Sequence, residues 1–76
     1  MNATRRNTLK KAIELLQNAL DIVEAAQSEE QDCLDNIPEN LQDSDRASAM
    51  EEAIDNLQSA MDCIEEAKEN INDAMN

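Results

Sequence analysis

Apolar residues recur along the chain with a period of seven, and the pattern occurs twice, once in each half. A period of seven forms a stripe along an α-helix that keeps facing the same neighbour. The sequence therefore predicts an all-α fold built from two amphipathic helices. The core positions of these helices are Leu9, Ile13, Leu16, Leu20 and Val23 in the first, and Ile54, Leu57, Met61, Ile64 and Ile71 in the second.

Alanines follow the same period, and they indicate how the two helices pair. In Ala12–Ala67, Ala19–Ala60 and Ala26–Ala53, the residue numbers of each pair total 79. In Leu9–Ile71, Leu16–Ile64 and Val23–Leu57 they total 80. Because two independent sets agree on one antiparallel register, we expect a helical hairpin with close Ala–Ala contacts. The alternative is that alanine here marks only high helix propensity.

The middle of the chain interrupts the pattern. Pro38 is the only proline, and it disfavours a helical conformation at Ile37, although Pro38 can itself open a short helical turn. Either Ser44 or Ser48 is suited to cap the second helix, and Ser48 with Glu51 forms a capping-box pattern. We expect one hairpin over residues 1–76, with helix 1 at about 4–34, a turn at about 35–45 and helix 2 at about 46–75.

The apolar stripe is wider than a single partner helix requires. Leu15 and Ile22 broaden it in the first helix, and Cys63 broadens it in the second. A stripe of this width suits a helix that packs against two neighbours. We therefore expect a homodimer that forms a four-helix bundle, with a tetramer as the next choice. Polar residues also fall on the stripe, where they favour one register: Gln27, Glu30 and Lys68.

Composition excludes most other classes of protein. The chain has no glycine, no aromatic residue and no histidine, so β-sheet folds, phosphate loops and histidine-based catalysis are disfavoured. We expect neither an enzyme nor a cofactor. We also expect no dedicated metal site, because zinc ligands are lacking and the acidic residues do not follow EF-hand spacing.

The two cysteines lie far apart in the expected hairpin. The antiparallel register separates Cys33 from Cys63 by about 25 Å along its axis, so an intramolecular disulfide is excluded. A bridge between subunits stays open as an alternative. No apolar segment typical of a signal peptide follows the first residues. We expect thiols in a reducing cytoplasm, that of the host cell if the protein comes from a phage.

The net charge of −12 is concentrated in one half of the expected hairpin. Residues 21–62 contain 13 acidic residues and one base, Arg46, whereas the remainder contains five of each. Direct binding to nucleic acid or to anionic membranes is disfavoured. One interpretation is solubility alone. The other is a partner-binding acidic end that contacts the basic surface of a nucleic-acid-binding protein: Glu29, Asp32, Asp35, Glu39, Asp43 and Asp45.

The least generic segment is residues 28–42, in particular the run Asp-Asn-Ile-Pro-Glu-Asn-Leu-Gln at 35–42. Followed by residues 50–57, this segment resembles a group of short acidic helical-hairpin proteins of phages and mobile elements of Gram-positive bacteria. The resemblance spans roughly residues 5–65. It implies a phage origin, and it assigns no functional residues because the group has no assigned activity.

Two functional hypotheses follow from these observations. The first is a non-catalytic, acidic protein-interaction module, and its specific form is a phage DNA-mimic inhibitor of a host nuclease, such as an anti-restriction or anti-CRISPR protein. The second is a structural or scaffolding helical bundle whose oligomerisation is itself the function.

Overall fold

The computed structural model describes residues 1–41 and 44–76, and this part of the chain contains helices and no strands. Helix α1 spans Ala3–Asp35, a short 3-10 helix spans Glu39–Leu41, and helix α2 spans Asp45–Met75. The two long helices pack side by side as an antiparallel hairpin. The result is a rod whose Cα atoms extend over 59 × 15 × 13 Å.

Local hydrogen bonds explain where each helix begins. The Asn2 side chain accepts a hydrogen bond from the Arg5 backbone N–H at 2.8 Å and so caps α1. Ser44 has extended backbone angles, and its Oγ accepts a bond from the Ala47 backbone N–H at 3.2 Å. Of the two serines suited to cap α2, Ser44 takes that position. Ser48 lies inside the helix, where its backbone N–H donates to the Ser44 carbonyl at 3.0 Å.

The turn forms around the single proline. The Asn36 backbone N–H closes the end of α1 by donating to the Asp32 carbonyl at 3.1 Å. Pro38 has no N–H to lose at this point, and its carbonyl accepts a hydrogen bond from the Leu41 N–H at 2.8 Å. The proline therefore ends one helix and opens the short 3-10 turn that leads toward the next.

The contact between the helices is a thin apolar seam. Among the described residues, Leu20 is 6% exposed and Ala47 is 0% exposed, and no other hydrophobic residue is fully buried. The structure places the remaining expected core residues at the seam in half-buried positions: Leu9, Ile13, Leu16, Val23, Ile54, Leu57, Met61, Ile64 and Ile71.

The alanine rows lie beside the seam instead of filling it. Ala12, Ala19, Ala53 and Ala67 are half-buried, whereas Ala26 and Ala60 are exposed. Close Ala–Ala contact therefore stays a prediction, while other residues, Leu20 foremost, form the buried centre of the hairpin. The larger side chains take that place because each helix turns its larger residues, one position after the alanines, toward its partner.

Side chains that cross the seam agree with the expected register. Between described residues they form four hydrogen bonds: Arg6 Nε to the Met75 carbonyl (3.0 Å), Gln27 Nε2 to the Ile54 carbonyl (3.3 Å), Gln27 Nε2 to Gln58 Oε1 (3.0 Å), and Lys68 Nζ to Gln17 Oε1. The residue numbers of these pairs total 81 or 85. Each helical side chain is tilted toward the N-terminus of its own helix, so it contacts the partner helix at a level slightly before its own Cα. The residue numbers of two side chains in contact therefore total slightly more than the 79 to 80 of the backbone register.

The capping geometry gives a first testable prediction. Ser44→Ala removes the acceptor for the Ala47 N–H, and we expect it to destabilise the protein by about 1 kcal/mol, a fall in Tm of several degrees. Thermal unfolding followed by circular dichroism at fixed protein concentration measures the change. Ser48→Ala is the matched control, and we expect its Tm to stay within about a degree of the wild type. A larger loss for Ser48→Ala than for Ser44→Ala would contradict the assignment of the cap.

Candidate protein-interaction surface

The predicted acidic residues meet at the closed end of the hairpin. Glu29, Asp32 and Asp35 occupy the last two turns of α1, Glu39 begins the 3-10 helix, and Asp45 begins α2. All five are exposed. We call these five residues the acidic bend. Asp43, which the sequence also assigned to this group, lies outside the described residues.

The carboxylates of the acidic bend are mostly unengaged within the chain. Asp35 Oδ1 accepts a hydrogen bond from Gln31 Nε2 at 2.9 Å. Across residues 1–41 and 44–76, the one ion pair joins Lys68 to Glu65 at 3.7 Å, far from the bend. The negative charge of the bend therefore faces solvent without a cationic partner among the described residues.

The dipoles of the two helices affect the bend differently. Asp45 lies in the first turn of α2, where a negative charge is favourable, whereas Asp32 and Asp35 lie in the last turn of α1, where it is unfavourable. No basic residue occupies that last turn. The bend therefore places negative charges close together at the C-terminus of α1, where the helix dipole disfavours them. Both effects destabilise the free protein.

The open end of the hairpin has the opposite character. Its bases, Arg5, Arg6, Lys10 and Lys11, lie beside the C-terminal turns of α2, and Arg6 Nε donates to the Met75 carbonyl at 3.0 Å. A guanidinium at this position satisfies a terminal carbonyl and complements the dipole of α2. The rod therefore has a nearly neutral open half and a strongly negative closed half.

A shallow groove next to the acidic bend was not anticipated from the sequence. It lies where the polar residue Gln27 interrupts the seam, and amide side chains make up half of its lining. The lining residues are Gln27, Ser28, Gln31, Asp32, Ile54 and Gln58. Amides donate and accept hydrogen bonds, so this groove extends the acidic surface with neutral polar groups. Of its lining residues, only Gln27 stood out in the sequence, as a polar interruption of the apolar stripe.

Other kinds of site receive no support from the described residues. Within them, no group of three or more acidic or cysteine side chains is arranged to hold a metal ion. Cys33 and Cys63 are free thiols, and both are exposed. None of the helices in the described part of the chain is long and apolar enough to span a membrane.

Comparison with protein-family models, with curated proteins and with solved structures finds no significant match to this chain.

The crowding of carboxylates predicts a response to salt. We expect the Tm to rise as NaCl increases from about 20 mM to about 500 mM, because screening weakens the repulsion at the bend. A variant with Glu29→Gln, Asp32→Asn, Asp35→Asn and Glu39→Gln, which we call the bend variant, should have a higher Tm at low salt and a smaller salt response. Thermal unfolding by circular dichroism measures both.

A matched control removes the same number of charges from the open half. It carries Glu14→Gln, Glu66→Gln, Glu69→Gln and Asp73→Asn, all at exposed positions, and we call it the open-half variant. We expect a smaller gain in Tm, since the part of the chain outside residues 21–62 contains five bases as well as five acidic residues. Equal gains for the two variants would show that total charge, and not its concentration at the bend, limits stability.

Proposed function

We propose that the protein is a non-catalytic interaction module whose acidic bend binds a basic surface on another protein. The observation that carries this proposal is the set of exposed carboxylates at the bend, which have no cationic partner among the described residues of the chain. A partner that supplies the missing cations would relieve the repulsion. Binding and stabilisation then have the same electrostatic cause.

The specific form of the proposal is a mimic of nucleic acid. The closed half is about 30 Å long, roughly half of the 59 Å rod, and residues 21–62 carry the full net charge of −12. This is about one net negative charge per 2.5 Å of length, compared with one per about 1.7 Å along duplex DNA. A protein surface that tracks a phosphate backbone would therefore meet a similar density of charge. The proposed role is inhibition of a host nuclease or another nucleic-acid-binding protein.

We also propose that the working form is a homodimer in which two hairpins make a four-helix bundle. Leu20 and Ala47 are the hydrophobic residues that the single hairpin fully buries within its described part, and chains of this size with so small a core are marginal alone. A second hairpin would add apolar contacts along the whole rod. The acidic bend of each hairpin would lie at one end of this bundle, and all five of its residues are exposed in the single hairpin.

A structural or scaffolding bundle is the second candidate function. It is favoured by large apolar side chains that the hairpin leaves in solvent: Leu15 is 68% exposed and Ile22 is 69% exposed. In this case apolar contact would be the function, and the acidic bend would serve solubility. The two candidates predict different responses to removal of charge.

Affinity purification tests the proposal directly. Wild-type protein, the bend variant and the open-half variant are each immobilised and exposed to a nuclease-treated bacterial lysate, and retained proteins are identified by mass spectrometry. We expect wild type and the open-half variant to retain the same basic, nucleic-acid-binding protein. The bend variant should bind it at least 10-fold more weakly at about 100 mM NaCl, because rim charges act through screened attraction.

Salt and competition provide the decisive controls. We expect the retained protein to elute as NaCl approaches about 1 M, where the Debye length is about 3 Å, and duplex DNA to compete for it. Two outcomes would contradict a charge-based interface and favour the structural bundle: the bend variant retains the same partner, or the partner stays bound to the wild type in molar salt.

A further inference from the structure

The seam divides the hairpin into two long faces of different chemistry. Lys68 joins Gln17, and Gln27 joins Gln58, across one side, so these two glutamines lie on the same face. In an antiparallel helix pair, the positions on the opposite side of the seam also adjoin one another. Those positions form a second face, which we call the alanine face: Ala12, Ala19, Ala26, Ala53, Ala60 and Ala67, with Leu15, Ile22 and Cys63 beside them.

The alanine face leaves a large apolar area in solvent. Leu15 is 68% exposed and Ile22 is 69% exposed, while Ala26, Ala60 and Cys63 are also exposed. Small alanine side chains keep the surface between these larger residues low, so another helix pair can approach closely. The opposite face has polar and charged residues at the equivalent positions, such as Gln31 and Glu51.

The exposed area is close to what one dimer interface requires. The hairpin exposes 5601 Å², whereas a folded monomer of 8.5 kDa typically exposes about 4,700 Å². The surplus of about 900 Å² is similar to the ~800 Å² that each partner contributes to a protein interface of standard size. A second copy of the chain is therefore the occupant that the area favours, and its own alanine face has the matching shape.

Charge decides the direction in which two copies meet. Placed bend to bend, the two copies would bring together two halves that each carry a net charge of −12. Placed head to tail, each acidic half lies along the neutral half of its partner, where Arg5, Arg6, Lys10 and Lys11 are located. We propose that two hairpins dimerise through their alanine faces in this head-to-tail direction, related by a twofold axis near the middle of the rod.

This inference rests on the homodimer proposed above and adds the face and the direction to it. It also bears on the interaction module, because a head-to-tail dimer carries one acidic bend at each end of a rod 59 Å long. Two separated bends can hold two partner molecules, or two sites on one large partner, and thereby increase the overall affinity.

The distances between equivalent cysteines of the two copies distinguish the head-to-tail from the bend-to-bend dimer. Cys63 lies about three residues from the middle of α2, so in a head-to-tail dimer the two Cys63 residues are about 9 Å apart along the rod. Cys33 lies about fourteen residues from the middle of α1, so the two Cys33 residues are about 42 Å apart. In a bend-to-bend dimer, the two Cys63 residues lie at the same position along the rod, and so do the two Cys33 residues.

Crosslinking of single-cysteine variants tests the direction. Cys33→Ser leaves Cys63 alone, and Cys63→Ser leaves Cys33 alone; both thiols are exposed in the hairpin. With a short-armed bis-maleimide, we expect the Cys33→Ser protein to form covalent dimers in at least 10-fold greater yield than the Cys63→Ser protein. Efficient dimers through Cys33 would overturn the head-to-tail direction.

Sedimentation equilibrium tests the face. Ile22→Glu places a charge on the alanine face, and we expect it to weaken dimerisation at least 50-fold. Asn18→Glu adds the same charge at an exposed position of α1 away from that face and should leave dimerisation within about threefold of wild type. Circular dichroism checks that both variants remain helical.

Two outcomes of this experiment would overturn the proposed dimer. One is wild-type protein that stays monomeric at about 100 μM, and the other is equal dimerisation by Ile22→Glu and wild type. These outcomes are separate from a failure of the proposed function, because loss of partner capture by the bend variant is measured independently of the dimer.

Discussion

The apolar contact between α1 and α2 is the constraint on which the other features of the protein depend. It brings the two ends of the chain together, so that the bases near the N-terminus of α1 lie beside the C-terminal turns of α2. It also leaves the acidic residues of the turn together at the other end. The contact is thin, since Leu20 and Ala47 are the fully buried hydrophobic residues of its described part. A thin seam on a long rod explains why the hairpin exposes more surface than a compact monomer of the same mass.

Polar residues within the seam contribute to its specificity. Gln27 bonds to both Ile54 and Gln58, and Lys68 bonds to Gln17. A shift in register would separate these pairs and leave the half-buried side chains of Gln17, Gln27 and Lys68 without these partners, which is costly. The same bonds place the amide side chains on one face and leave the alanine rows on the other. Interruptions of the stripe therefore help to determine which face stays apolar.

Concentrated charge destabilises the free hairpin, and it is the same feature on which the proposed binding depends. The carboxylates at the end of α1 repel one another and oppose the helix dipole. Natural proteins retain unfavourable groups of this kind mainly where function requires them. A cationic surface on a partner would relieve both effects, and the alanine face would meanwhile serve self-association. The two surfaces lie on different parts of the rod, so the chain can use both at once.

Much of the fold could be predicted from the sequence because helix formation and the apolar stripe depend on local spacing. The period of seven predicted both helices, and Pro38 predicted the turn between them. The serine that caps α2 was left as a choice between Ser44 and Ser48, because either side chain can reach a backbone N–H three residues later. The acidic bend was visible as an imbalance of charge along the chain, and the turn alone was enough to bring its members together.

The tertiary structure decided features that depend on side-chain direction across the seam. The alanines were expected to pair across the seam, and the structure places them in half-buried or exposed positions next to the larger seam residues. The groove around Gln27 and Gln58 exists only because residues 31 positions apart in sequence meet there. Local spacing in the sequence determines which residues share a stripe, whereas the packing of the second helix determines which edge of that stripe stays exposed.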